Sequence, residues 1–161
     1  MNEHRKLMHV IAAIAALVCF AIGGAAQESE TKSPEAPAAV ALPDSMAPST
    51  ITVKVGNRLY PEYREVFTVN MLQRAQIGDT DLFFEISEFF PHFAMIDSTK
   101  EVVSLSEELK NPAFKIHIYE NDEYKEATWA FYAIKVPHYS RQAYLHFEVL
   151  SFQYRGKLIE Q

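Results

Sequence analysis

Four histidines, His92, His117, His138 and His146, are the side chains of this sequence best suited to hold a metal ion or haem. None of the short ligand spacings of metal-binding helices or knuckles joins them. His117 and His146 fall on the polar rows of two alternating segments, so adjacent strands would bring them within cross-strand distance. Scattered imidazoles are ordinarily surface or half-buried side chains, and no metal site or cofactor is assigned. The carboxylates are no more suggestive. Glu85 and Glu88 lie on opposite faces of a regular strand, and Asp79 and Asp81 flank Thr80 in a turn. A glycosidase needs two carboxyls facing each other across a cleft. The Glu120–Glu126 cluster reads as a solvated hairpin tip. Ser87, Ser104, Ser106, Ser140 and Ser151 have no Gly-x-Ser-x-Gly elbow around them. The single cysteine, Cys19, sits in an N-terminal apolar run. Thiol catalysis, an internal disulfide and c-type haem attachment therefore have no residues to use beyond it. The expectation is a protein that is not an enzyme.

Aromatic side chains carry more. Phe89-Phe90-Pro91-His92-Phe93 forms one cluster, and Thr128-Trp129-Ala130-Phe131-Tyr132 with Pro137-His138-Tyr139 forms a second. Trp129 and Phe131 share a strand face and are expected in the core. Phe90, His92, Phe93, Tyr132, His138 and Tyr139 are the expected ligand- or partner-binding residues, because a strand end and a loop leave such rings accessible.

The elements that position these residues read as strands. Leu82, Phe84 and Ile86 alternate with Phe83, Glu85 and Ser87. Phe114, Ile116 and Ile118 alternate with Lys115, His117 and Tyr119, and Ala143, Leu145, Phe147 and Val149 with Tyr144, His146, Glu148 and Leu150. Turn signals stand at Gly56-Asn57, Gly78-Asp79, Glu120–Glu123, Pro137 and Arg155-Gly156. The one helix candidate is a single turn near Ser104–Leu109. Short strands at roughly ten-residue spacing predict an all-β domain over 51–161, a single antiparallel β-sandwich or partly open barrel.

Upstream, the 161-residue chain changes character. Arg5 and Lys6 precede an apolar run, Leu7–Ala26, that ends in small residues, the pattern of a secretory signal with cleavage after Ala26. Uncleaved, residues 7–26 are just long enough for a membrane tether. Residues 27–50 hold Pro34, Pro37, Pro43 and Pro48 and no aromatic ring, and read as a disordered linker. The expected location is therefore outside the cytoplasm, periplasmic or in the cell envelope. Residues 51–161 carry 12 Lys and Arg against 16 Asp and Glu. An acidic balance of that kind argues against nucleic acid as a partner.

The segments Ile86–Phe93, Asn111-Pro112-Ala113-Phe114 and Thr128-Trp129-Ala130-Phe131 resemble small exported bacterial β-domain proteins of unassigned function. They are also similar to pieces of the extracytoplasmic part of ResB-type cytochrome c biogenesis proteins. The resemblance covers about Phe67–Phe152 and implies a fold and a compartment. It carries over no catalytic residue, since those proteins span the membrane many times and this chain has one apolar segment. The expected function is an exported, non-catalytic interaction module for an envelope protein or a small apolar ligand. The alternative is a haem- or metal-handling accessory of cytochrome c maturation.

Overall fold

The computed structural model describes residues 47–134 and 138–161. The expected signal, all but the last four residues of the expected linker, and Pro137 lie outside them. The described residues are all-β. In chain order the strands are β1 (Ile51–Asn57), β2 (Arg64–Val69), β3 (Arg74–Gln76), β4 (Leu82–Phe90) and β5 (Phe93–Met95). They continue with β6 (Val102–Ser104), β7 (Ala113–Glu120), β8 (Glu123–Phe131), β9 (Leu145–Tyr154) and β10 (Lys157–Glu160). Two four-stranded antiparallel sheets, β10-β9-β1-β2 and β3-β4-β7-β8, share one core, and neither closes into a barrel. A two-stranded ribbon, β5-β6, stands apart.

The alternating rows do what the period of two requires. Ile51, Val53 and Val55 from β1, Phe84 and Ile86 from β4, Phe114, Ile116 and Ile118 from β7, and Leu145, Phe147 and Val149 from β9 fill the core. Three register shifts interrupt the ladders, one of them between Ile118 and Tyr119 in the β7–β8 pair, and the other two redirect large rings. Between Ile86 and Glu88 the β4 register slips by one residue, so Phe89 turns inward and Phe90 outward. β9 slips opposite Thr52/Val53, which brings Phe152 and Tyr154 inward after Val149.

The turn signals meet mixed outcomes. Asn121 and Asp122, both with positive φ, make the two-residue turn of the β7–β8 hairpin. Arg155 and Gly156 do the same between β9 and β10. Gly56-Asn57, in contrast, is no turn. β1 runs through both residues, and Gly56 lies opposite Arg64 and His146. The helical turn expected near Ser104–Leu109 is also absent. Ser104 Oγ donates to the Ser106 carbonyl (2.9 Å), and Ser106 Oγ accepts the Glu108 N–H (3.4 Å). These local bonds hold the backbone in irregular turns instead.

Candidate functional site

The register of the β3-β4-β7-β8 sheet decides which rings face away from the core. Phe90, Ala113 and Phe131 form one row across its outer face, and Glu88, Lys115 and Trp129 form the next. Glu126, Thr128 and Ala130 take the inward positions of β8 and are buried. Trp129 and Phe131 therefore do share a face, but it is the outer one. The expectation of core positions for both is corrected by strand parity: Phe114 opposes Ala130 and fills the space a large β8 side chain would need.

The chain builds a cover over this face. After Phe90, the buried Pro91 turns the backbone, and His92 bridges to Asn111. Phe93 N–H then donates to the Asn111 carbonyl (3.2 Å), and the β5-β6 ribbon begins. Phe93 stands edge-on to Trp129 and Phe131, with ring centroids 5.2 and 5.1 Å away, and lies 6.3 Å from Phe90. Phe90 lies 5.6 Å from Trp129. Trp129 and Phe131 run nearly parallel, 6.4 Å apart at 28°. His138 closes the group at 4.9 Å from Phe131. Phe90, Phe93, Trp129 and Phe131 are half-buried, His138 is exposed, and Met95, two residues beyond Phe93, is half exposed.

A second ring group shares the outer face. Tyr124 lies 5.4 Å from His117 and 6.0 Å from Tyr119, and the Arg74 guanidinium sits 3.7 Å over the Tyr119 ring. Between the two groups the Lys115 ammonium pairs with Glu88 at 2.5 Å.

Of the six residues singled out from sequence, the fold brings Phe90, Phe93 and His138 together and adds Trp129 and Phe131. It sends the other three elsewhere. Tyr132 packs edge-on to Phe152 at 5.2 Å against the core, and burial, with the Glu160 carboxylate nearby, pushes its phenol pKa up. His92 Nδ1 bonds to Ser106 Oγ at 2.9 Å. Tyr139 covers His146 at 5.0 Å.

The four histidines stand in four separate surroundings. His117 and His146 belong to different sheets, which corrects the expected cross-strand pairing. No group of three or more His, Cys, Asp or Glu side chains that could hold a metal ion occurs among the described residues. The His92–Ser106 contact has the spacing of a nucleophile and its base. Its surroundings make it part of a turn. His92 N–H donates to Ser104 Oγ (3.2 Å), Leu105 N–H to the His92 carbonyl (3.0 Å), and no carboxylate accepts from the imidazole among the described residues.

Sequence reasoning placed Glu126 in a solvated hairpin tip, and that too is corrected. Its carboxylate is buried and accepts the N–H groups of Arg141, Gln142 and Ala143 at 2.8, 2.9 and 2.8 Å. Burial pushes its pKa up, but these donors and the Ser140 hydroxyl outweigh it and hold the group below the usual carboxylate value. This clamp fixes the segment that carries His138 and Tyr139 to either side of the β8 edge.

No protein-family model matches the chain, and neither does any curated protein or solved structure. The face presents apolar ring area in two groups, with the Lys115–Glu88 ion pair between them.

Proposed function

We propose that this chain is an exported, non-catalytic interaction module that holds a protein partner or a small apolar ligand against the outer aromatic face of the β3-β4-β7-β8 sheet. One observation carries the reading. The outer faces of the two sheets both carry ion pairs, and that of β10-β9-β1-β2 exposes Val66 and Leu158, but they differ in ring content. That of β10-β9-β1-β2 bears the Lys54–Glu148 ion pair and the Thr52–Thr68 hydroxyl contact (3.3 Å), as a solvated face should. The other bears Phe90, Phe93, Trp129, Phe131 and His138, ring area that a solvated face does not need. Within this β-sandwich reading the β5-β6 ribbon is the wall of the binding face, and Trp129 is its central anchor. The four dispersed histidines add nothing to the haem- or metal-handling alternative.

A photoreactive benzoyl-phenylalanine at Met95, in the full chain within its own cells, tests the reading. Adducts are expected at Met95 and are lost in a Trp129→Ser/Phe131→Ser variant that keeps its β circular dichroism. The same probe at Val66, on the outer face of the other sheet, gives none. Equal labelling at both positions, or adducts indifferent to the double substitution, would sink it.

A further inference from the structure

We propose that residues 138–143 form an acid-released strap along the flank of the aromatic face. The strap is fastened while Glu126 is ionised and His146 is neutral, and it comes away as they take up protons. The inference deepens the interaction-module reading above, on which its regulatory meaning rests.

The strap runs back along β8, the edge strand of its sheet, from Phe131 at one end to Glu126 at the other. His138 lies 4.9 Å from Phe131, and the Arg141, Gln142 and Ala143 N–H groups bind the Glu126 carboxylate at 2.8, 2.9 and 2.8 Å. One carboxylate, rather than a strand ladder, thus ties it to the edge. Between these points the strap folds over β9. Ser140 N–H donates to the Leu145 carbonyl (2.7 Å), Ser140 Oγ accepts the Leu145 N–H (2.9 Å), and the Tyr139 ring covers the His146 ring at 5.0 Å. The far end is anchored separately, by Arg58 N–H donating to the Tyr144 carbonyl (2.8 Å). Tyr144 has a left-handed φ of 57°, which a residue with a Cβ holds only under local constraint. That residue is the pivot of a released strap.

Each fastening fails with one proton. Glu126 accepts from three N–H groups as a carboxylate, and once protonated its own O–H crowds the same donors. Burial works against its charge, but the strap's N–H groups and the Ser140 hydroxyl outweigh it and hold the pKa below the ordinary 4.5. Those donors leave with the strap. His146 sits on the bare backbone of Gly56, nearly buried, and its Nδ1 has no hydrogen-bond partner among the described residues. A second ring proton would stand buried without an acceptor. Burial and Arg64 on β2 hold its pKa below the ordinary 6.5, helped by Lys54 on β1 and opposed by Glu148 on β9. With Tyr139 gone the imidazole meets water and charges freely.

Both groups have lower pKa values with the strap in place than with it released, so acid weakens both fastenings. His146 acts as pH falls below 6.5 and Glu126 as it falls below 4.5. Opening bares the Phe131 flank beside Trp129, and the face is wider in acid.

Amide hydrogen exchange in the full chain reads the strap directly. Protection factors of Arg141, Gln142 and Ala143 should fall by up to about tenfold per pH unit from about pH 6.5 to 5, one proton's worth, while those of β7 hold. Acrylamide quenching of Trp129, the sole tryptophan, should rise in step. Tyr139→Ala, a change at an exposed ring, leaves His146 hydrated in both states and should flatten the fall, as should His146→Gln. His138→Gln should leave it in place. Protection that is flat with pH, or that falls equally in β7, overturns the proposal. So does a fall that survives both Tyr139→Ala and His146→Gln, or one that leaves Trp129 quenching unchanged. The Met95 photo-adducts are independent of all these readouts. Their absence removes the interaction reading, while a fall in protection that obeys the variants still assigns the strap.

Discussion

A buried carboxylate needs enough donors to replace the water it loses. Glu126 has three backbone N–H groups aimed at it, and they lie in a segment 15 to 17 residues further along the chain. Glutamine at this position keeps one acceptor oxygen and brings an amide that meets those donors. Glu126→Gln should cost about 2 kcal/mol, at the level of a charge-assisted bond and an unsatisfied donor. The pH dependence has a fixed sign. The carboxyl pKa lies below its ordinary value in the folded protein. Its contribution is therefore complete above the unfolded pKa and disappears as pH falls through the depressed folded one. Urea unfolding from neutral pH into acid should show the gap between wild type and variant closing. A gap that holds constant into strong acid would show that the charge is not what clamps the segment.

At the scale of elements, Gly56 shows why a glycine need not mark a turn. A Cβ built there would meet the His146 imidazole, 2.3 Å from Cε1 and 2.9 Å from Nε2. The ring lies across the bare β1 backbone, nearly buried, and its Nδ1 has no hydrogen-bond partner among the described residues. Burial lowers the His146 pKa, the Arg64 and Lys54 cations lower it further, and Glu148 opposes them. Gly56→Ala must push the ring out or shift the strands, at about 1–3 kcal/mol. His146→Ser removes the obstacle, so the double variant should be more stable than the sum of the single losses predicts. Thermal unfolding of the four proteins checks this, and strict additivity would mean that ring and backbone do not compete. The strands themselves were legible. Phe84/Ile86, Phe114/Ile116/Ile118 and Leu145/Phe147/Val149 announce their inward faces by alternation alone. The bulges were not legible, because one extra residue reverses parity without any signature in composition. The expectation of core positions for Trp129 and Phe131 fails for a different reason: large rings that share a strand face usually bury, and alternation alone does not say which face of β8 looks inward. Strand order was equally silent, so nothing in the spacing placed His117 and His146 in different sheets or Glu126 under a distant loop.

For the molecule as a whole, the question is where the folded unit begins. The apolar alternation starts at Ile51, and composition alone put the boundary there. Pro48 is nevertheless fully buried, and Ser49 and Thr50 exchange backbone bonds with Gln153, at 3.3 and 2.9 Å. These residues extend β1 past its ladder partner at the end of the sheets where Phe152 and Tyr132 meet. A chain starting at residue 51 loses one buried proline ring and two backbone bonds relative to one starting at 47. Together these are worth about 2–3 kcal/mol. A stability set largely by long-range pairing between sheets makes such a loss global rather than a local fraying, because β1 is central in its sheet and Ile51 lies in the core. Fragment 47–161 should therefore unfold in one cooperative transition, and 51–161 in one at a lower urea midpoint with a similar slope. Coincident midpoints would place Pro48 outside the cooperative unit, and Phe152 would then owe its burial to the sheets alone.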